Sequence, residues 1–135
     1  MTVRAVCYIS QAVAGLARAR VRQIGRGSTD FNRGVNVTGV LLLDVARFLQ
    51  YFEGPHDGVE AVLERILAAE DHSDVEVLAN GSVPRRYFPQ WSMRIIPTSA
   101  SALQHAATTD WSASAADSVQ RLAALSPLHR GERGA

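Results

Sequence analysis

The chain has 135 residues, 47% hydrophobic and 20% charged, a balance that suits one soluble domain with a core of its own. A net charge of +1 gives no global case for nucleic acid or an anionic membrane, and no apolar run reaches bilayer length. One cysteine, Cys7, excludes an intrachain disulfide framework and a multi-cysteine metal site, and the N-terminus MTVRAVCYIS lacks a signal-peptide pattern, so a cytoplasmic location is expected.

Val3 to Ile9 reads as a strand, with Val6 and Tyr8 on one face and Ala5, Cys7 and Ile9 on the other. Both faces are apolar, which predicts a central strand. The Tyr8 hydroxyl in its middle needs a hydrogen-bond partner, and backbone would serve. Ala12 to about Arg26 reads as a helix, with Val13, Leu16, Ala17, Val21 and Ile24 as its apolar stripe. Arg18, Arg22 and Arg26 lie four apart on it, a basic ridge of the kind that is usually a solvated face. Gly25 and Gly27 weaken its end by about 1 kcal/mol each relative to alanine. The following STDFNRGVN, from Ser28 to Asn36, reads as a loop of turn formers, Asn32 among them.

Val37 to Asp44 is a nearly continuous apolar run and predicts a buried strand, with Gly39 marking a bulge or a close approach. A hairpin through Val45-Ala46 leads to the next strand, although those residues are poor chemistry for a tight turn. That strand, Arg47 to Gly54, is RFLQYFEG, and Gly54-Pro55 ends it. Phe48, Gln50 and Phe52 share one side of it, and Leu49, Tyr51 and Glu53 the other. Gln50 therefore sits between two phenylalanines on a face that reads as buried. Its amide has two donors and two acceptor lone pairs, and leaving them unpaired costs roughly 1–3 kcal/mol. Neighbouring backbone, or a polar ligand held in an apolar pocket, would satisfy them; this position alone favours backbone.

Asp57 to Glu70 predicts a second helix, with Val59, Val62, Leu63, Ile66 and Leu67 on its apolar face and Arg65 near the edge of that stripe. Asp74 to Ala79 alternates as a strand, and Asn80-Gly81 begins a connection through PRRYFPQ. Trp91 to Ile96 reads as a fifth strand, placing Trp91, Met93 and Ile95 on one face. One or two helices follow Ser99, clearest at Ala113 to Leu125, where Val119, Leu122 and Leu125 could pack on the open sheet face.

This order is the ferredoxin-like β-α-β-β-α-β arrangement, an α+β fold, with an added fifth strand and C-terminal helices. Both helices then cover one sheet face, and the first and third strands lie side by side at the centre. Tyr8 and Gln50 become neighbours, and if both point toward the helices, a flat ligand between the helices would touch both.

Metal-ligand spacing is missing around His56, His72, His105 and His129, and neither GxxxxGK[ST] nor GxGxxG occurs. Ser10 and Ser28 have no base paired with them in sequence. An acyl-phosphate hydrolase shares this arrangement but needs a glycine-rich anion loop with an arginine right after the first strand. SQAVAG follows that strand here, and Arg18 comes later. A regulatory or interaction domain without a chromophore is a third reading.

Tyr8 in CYIS, Asn32 before VNVTG, Gln50 in FLQYFEGP, and Trp91 with Met93 in WSM resemble a BLUF domain, the blue-light sensor that uses flavin. Arg86 and Phe88-Pro89 fit the same pattern, and the resemblance runs from Val3 to Ile96. It implies the ferredoxin-like fold, with a flavin between the two helices: FAD, with FMN or riboflavin as alternatives. Tyr8 would donate an electron and a proton, and Gln50 would rearrange its hydrogen bonds on illumination. Asn32 would hold the polar edge of the ring, with Arg65, Ser28, Ile24 and Ile66 as further flavin contacts. Trp91 and Met93 would relay the state of Gln50. Phe31 stands where the family often has a polar residue, which removes one bond to the ring's pyrimidine edge. Ala69 and Asp71 stand where an acid and a base are common.

The expected organisation is a flavin-binding domain over 1–98, a helical cap over 99–127 and a disordered tail over 128–135. The resemblance implies a photoreceptor that is not an enzyme and signals to a downstream partner protein or through a homo-oligomer, without nucleic acid or membrane. The alternative is a flavin-free relative that keeps the fold as an interaction or regulatory domain.

Overall fold

Five strands form one mixed sheet with the order β4-β1-β3-β2-β5 in the computed structural model, which describes residues 3–13, 18–44 and 46–109. In chain order the elements are β1 (Val3–Ala12), α1 (Arg18–Gly34), β2 (Thr38–Leu43), β3 (Arg47–Gly54), α2 (His56–Ala68), β4 (His72–Val83), β5 (Arg94–Pro97) and α3 (Ala100–Ala107). β1, β2, β3 and β4 pair antiparallel, and the added β5 lies parallel to β2. This is the expected ferredoxin-like α+β arrangement, with β1 and β3 adjacent at the centre.

The period of two sorts the central strands into two cores. Val6, Tyr8, Leu41, Phe48 and Phe52 face α2, where Val59 and Val62 meet them. Cys7, Val40, Leu42, Leu49 and Tyr51 face the other way, against Phe88, Ile96 and the α3 residues Leu103 and Ala106. β3 is buried through all but its first residue, as its aromatic sequence predicts.

Several boundaries differ from the sequence reading. β1 continues to Ala12, and α1 runs from Arg18 to Gly34 rather than ending near Arg26. Gly25, Gly27, Ser28 and Asn32 are therefore helical. Gly25 is where the helix packs, since a Cβ there would overlap Ile95 Cδ1, and at that position close packing outweighs the roughly 1 kcal/mol that glycine costs in a helix. A Cβ on Gly27 would meet only the end of the exposed Arg65 side chain, at 3.1 Å. The true stop is Asn36, at φ 61. With Asn36 N–H donating to Arg33 O and Val37 N–H to Asn32 O, it closes the helix as a left-handed C-terminal cap.

Asp44 supplies the turn chemistry that Val45-Ala46 lacks, accepting from the Ala46 and Arg47 N–H groups, both at 2.7 Å. β4 is longer than expected and passes through Asn80-Gly81. It bulges twice against β1, with Asp74 at φ 55 taking up one extra residue. β5 begins only at Arg94, so Trp91 and Met93 precede it. The expectations for Leu16, for Ala113 to Leu125 and for the tail fall outside the described residues.

Candidate functional site

Tyr8 and Gln50 are Cα partners on β1 and β3, so their side chains emerge on the same face. The Tyr8 hydroxyl donates to Gln50 Oε1 at 2.5 Å, and Gln50 Nε2 donates to Met93 Sδ at 3.4 Å. Gln50 is 5% exposed and Tyr8 3%. Burial, and then the nearby Cys7, push the Tyr8 hydroxyl well above the ordinary tyrosine range, so it holds its proton at neutral pH.

Above this pair, α1 and α2 diverge to leave a cleft of about 170 Å³. Ile24, Ser28 and Asn32 line it from α1, one helical turn apart, and Arg65 and Ile66 from α2. One isoleucine from each helix, Ile24 and Ile66, with polar Ser28, Asn32 and Arg65 beside them, suits a flat, polar-edged ring. Asn32 is 1% exposed. Its Nδ2 donates to Ser92 O at 3.2 Å, while its Oδ1 has no partner among the described residues. A buried acceptor left unpaired costs roughly 1–3 kcal/mol, which a ligand N–H would recover. The second N–H of Gln50 Nε2 is the matching donor to a ligand acceptor.

Seven of the site residues read from sequence thus come together: Tyr8, Gln50, Asn32, Ser28, Ile24, Arg65 and Ile66. Arg65 stands at the exposed mouth, its guanidinium 4.9 Å from the Phe31 ring centroid and donating to Gly27 O at 3.2 Å. Met93 sits under Gln50, but Trp91 does not join it. The Trp91 ring packs on the α3 side of the sheet, stacked on Phe88 at 5.4 Å. Met93 and Ile95 pack on the α2 side. The expected shared face fails because ladder pairing starts at Arg94, and strand alternation does not extend back to Trp91. Trp91 is held instead through its backbone, its carbonyl accepting from Gly39 N–H at 2.8 Å.

Sequence reasoning missed His72. Its Nε2 lies 2.9 Å from Ile66 O and its Nδ1 2.6 Å from Ser10 Oγ, so its ring stands edge-on to Tyr8 in the cleft wall. Neutral His72 must carry its proton on Nε2 and accept from Ser10. No spacing signal marks it, since its partners come from β1 and α2. Arg20, paired with Asp71 at 3.0 Å, closes one end of the cleft and was also unmarked.

Fold and cleft together define an α+β domain with a cleft between two helices and a buried tyrosine–glutamine pair beneath it. The BLUF family model, sensors of blue-light using FAD, matches residues 3–94, and the chain belongs to that family. The beta subunit of photoactivated adenylate cyclase from Euglena gracilis is 32% identical over 93 residues, which are 68% of this chain and 11% of that protein. A solved bacterial light-regulated adenylyl cyclase superposes with a TM-score of 0.67 at 32% identity, over 72% of this chain and 28% of that one. The dark-state structure of BlrB, a BLUF protein, gives a TM-score of 0.68 at 27% identity, over 95% of this chain and 92% of that one. The chain thus spans 11% of the length of the curated cyclase subunit it matches. Among the described residues no helix is long and apolar enough to cross a membrane.

Proposed function

We propose that this chain is a blue-light photoreceptor that holds FAD between α1 and α2 and reports illumination through the orientation of Gln50. FMN and riboflavin share the ring and are the alternatives. The observation that carries the reading is the Tyr8–Gln50–Met93 relay beneath a cleft whose buried Asn32 Oδ1 lacks a partner. A bound flavin supplies a ring that absorbs blue light and accepts an electron. Asn32 Oδ1 would accept from a ring N–H, Ile24 and Ile66 would exclude water from the ring's sides, and Ser28 and Arg65 would add polar contacts toward the mouth.

Tyr8 holds its proton toward Gln50 Oε1. Gln50 Nε2 uses one hydrogen on Met93 Sδ and keeps the other for the cleft. Half a turn of the amide exchanges its ends without moving net charge. Oε1 then faces Met93 Sδ, two acceptors together, while Nε2 faces Tyr8 Oη. The rotated arrangement loses the bond to sulfur, so it reverts in the dark, and the output is a population shift. Met93 senses the exchange directly; Trp91, on the opposite face, carries it through the backbone that Gly39 and Asn32 hold.

The domain is a sensor and not itself a catalyst in this reading, with its signal passed to a partner protein or through self-assembly. The light-regulated cyclases it resembles are instances of coupling to an effector. In this reading the flavin-binding unit spans the sheet with α1 and α2, and α3 covers the opposite sheet face. The test is the absorption spectrum of the purified protein, dark and after blue light. A flavin band that shifts modestly to the red and recovers in darkness is expected. A protein that stays colourless after added FAD overturns the reading in favour of a flavin-free relative.

A further inference from the structure

Two arginines of the α1 ridge, Arg22 and Arg26, lie outside the cleft lining. Arg22 and Arg26 are exposed, and neither guanidinium has an ion pair or hydrogen bond among the described residues. They border a second groove, about 400 Å³, between α1 and β5. Its floor is Met93, Ile95 and the bare backbone of Gly25, where a side chain would collide with Ile95. Thr29 at its edge donates to Met93 O at 3.3 Å. The acidic residue lining it, Asp30, is 3.8 Å from Arg33. Met93 therefore has two neighbours: Gln50 Nε2 on one side and this groove on the other.

We propose that the groove docks an acidic, amphipathic segment of a partner protein. An apolar side chain of that segment seats on Met93 and Ile95, and its carboxylates pair with Arg22 and Arg26. Two guanidiniums one helical turn apart repel each other, and an apposed pair of carboxylates relieves this with charge-assisted, bidentate bonds. A second copy is the poorer occupant, because a two-fold interface through this face would set its arginines against their own equivalents. Nucleic acid is poorer too, since the groove offers no aromatic surface for bases. Docking does not require the photochemistry. Only a light dependence of the affinity, transmitted through Met93, rests on the flavin reading.

The test uses the full chain in darkness, with a red-dye-labelled helical peptide of glutamates and leucines followed by fluorescence anisotropy. The double variant R22E/R26E should bind it at least about tenfold more weakly and should prefer the same peptide with lysine in place of glutamate, as expected when two desolvated charge pairs are reversed. The variant's flavin spectrum, recorded in parallel, reports separately on the photoreceptor reading. Unchanged affinity in R22E/R26E overturns the proposal. Equal binding of a leucine-free glutamate peptide removes the apolar seat and also overturns it. Equal binding of oligothymidine, or a self-association that R22E/R26E abolishes in sedimentation, assigns the face to another occupant.

Discussion

Tyr8 and Gln50 stand directly opposite each other on the two central strands, joined by a 2.5 Å hydrogen bond from the Tyr8 hydroxyl to Gln50 Oε1. Both strands are paired on either side, so neither backbone can move without breaking ladder bonds on both edges. The freedom left at this point is in the glutamine side chain. On the proposed reading, that freedom is what lets the amide act as a switch in an otherwise stiff core.

Replacing Gln50 with alanine removes the amide proposed to rotate and leaves intact the α1 and α2 residues proposed to hold the flavin. The variant should retain flavin and lose the light-induced red shift completely. A difference spectrum with a normal shift would take the switch away from Gln50.

Met93→Leu keeps the volume and removes the sulfur acceptor. The rotated amide then no longer sets Oε1 against Sδ and is stabilised. For about 1 kcal/mol of such stabilisation, dark recovery slows roughly fivefold. Recovery followed by absorbance checks this, and an unchanged or faster rate contradicts it.

Glu53 is fully buried on the α3 side of the sheet and accepts from the Tyr51 hydroxyl at 2.8 Å, from Tyr87 N–H at 2.8 Å and from Phe88 N–H at 2.7 Å. It thereby ties β3, which carries Gln50, to the segment leading to Trp91 and Met93. Glu53→Ala strands three donors and should cost about 3 kcal/mol or more in urea unfolding. A loss below about 1 kcal/mol would mean that water or a rearranged neighbour replaces the carboxylate.

Two glycines should respond with opposite sign. At Gly39 a Cβ meets the backbone of Tyr51 and Phe52, which cannot yield, so Gly39→Ala should destabilise by about 1–3 kcal/mol. At Gly27 it meets only the end of the exposed Arg65 side chain, which can swing aside. Gly27→Ala should stabilise α1 by about 0.5–1 kcal/mol. Thermal or urea melts of the two variants test the contrast, and a shared sign refutes it.

Burial raises the Cys7 thiol and the Tyr8 and Tyr51 hydroxyls above their ordinary values, Tyr51 further because of the Glu53 carboxylate. A raised pKa in the folded state means that unfolding releases protons at high pH. These groups contribute fully below their unfolded values, about 8.5 for cysteine and about 10 for tyrosine, and less at each step above. Stability should therefore decline above about pH 8.5 and more steeply above about pH 10. Tyr8→Phe should make the upper decline shallower. A native tyrosinate band from Tyr8 already present near pH 10 would contradict the buried, proton-holding hydroxyl.

The strands, their order and the second helix were legible because each has a clear period and apolar density. RFLQYFEG alone places Gln50 between Phe48 and Phe52, and the β-α-β-β-α-β order then sets it beside Tyr8. Local chemistry misled where packing overrode it. Gly25 and Gly27 look like a helix end, yet α1 runs on to Gly34, with Ile95 packed in the space that a Gly25 side chain would take. WSMRII looks like one alternating strand, yet Trp91 and Met93 lie on opposite sides of the sheet because pairing begins only at Arg94.

Residue types and their periodicity, properties of the chain alone, determined the fold class and set Tyr8 beside Gln50, while the cleft lining was legible only through the resemblance to the BLUF pattern. Tertiary structure decided what touches across distant elements. It placed Asn32 against Ser92, His72 between Ser10 and Ile66, and Glu53 beneath Tyr87 and Phe88. Each of these contacts spends a directional hydrogen bond between segments remote in sequence, and a one-dimensional period carries no information about which remote donor will meet which acceptor.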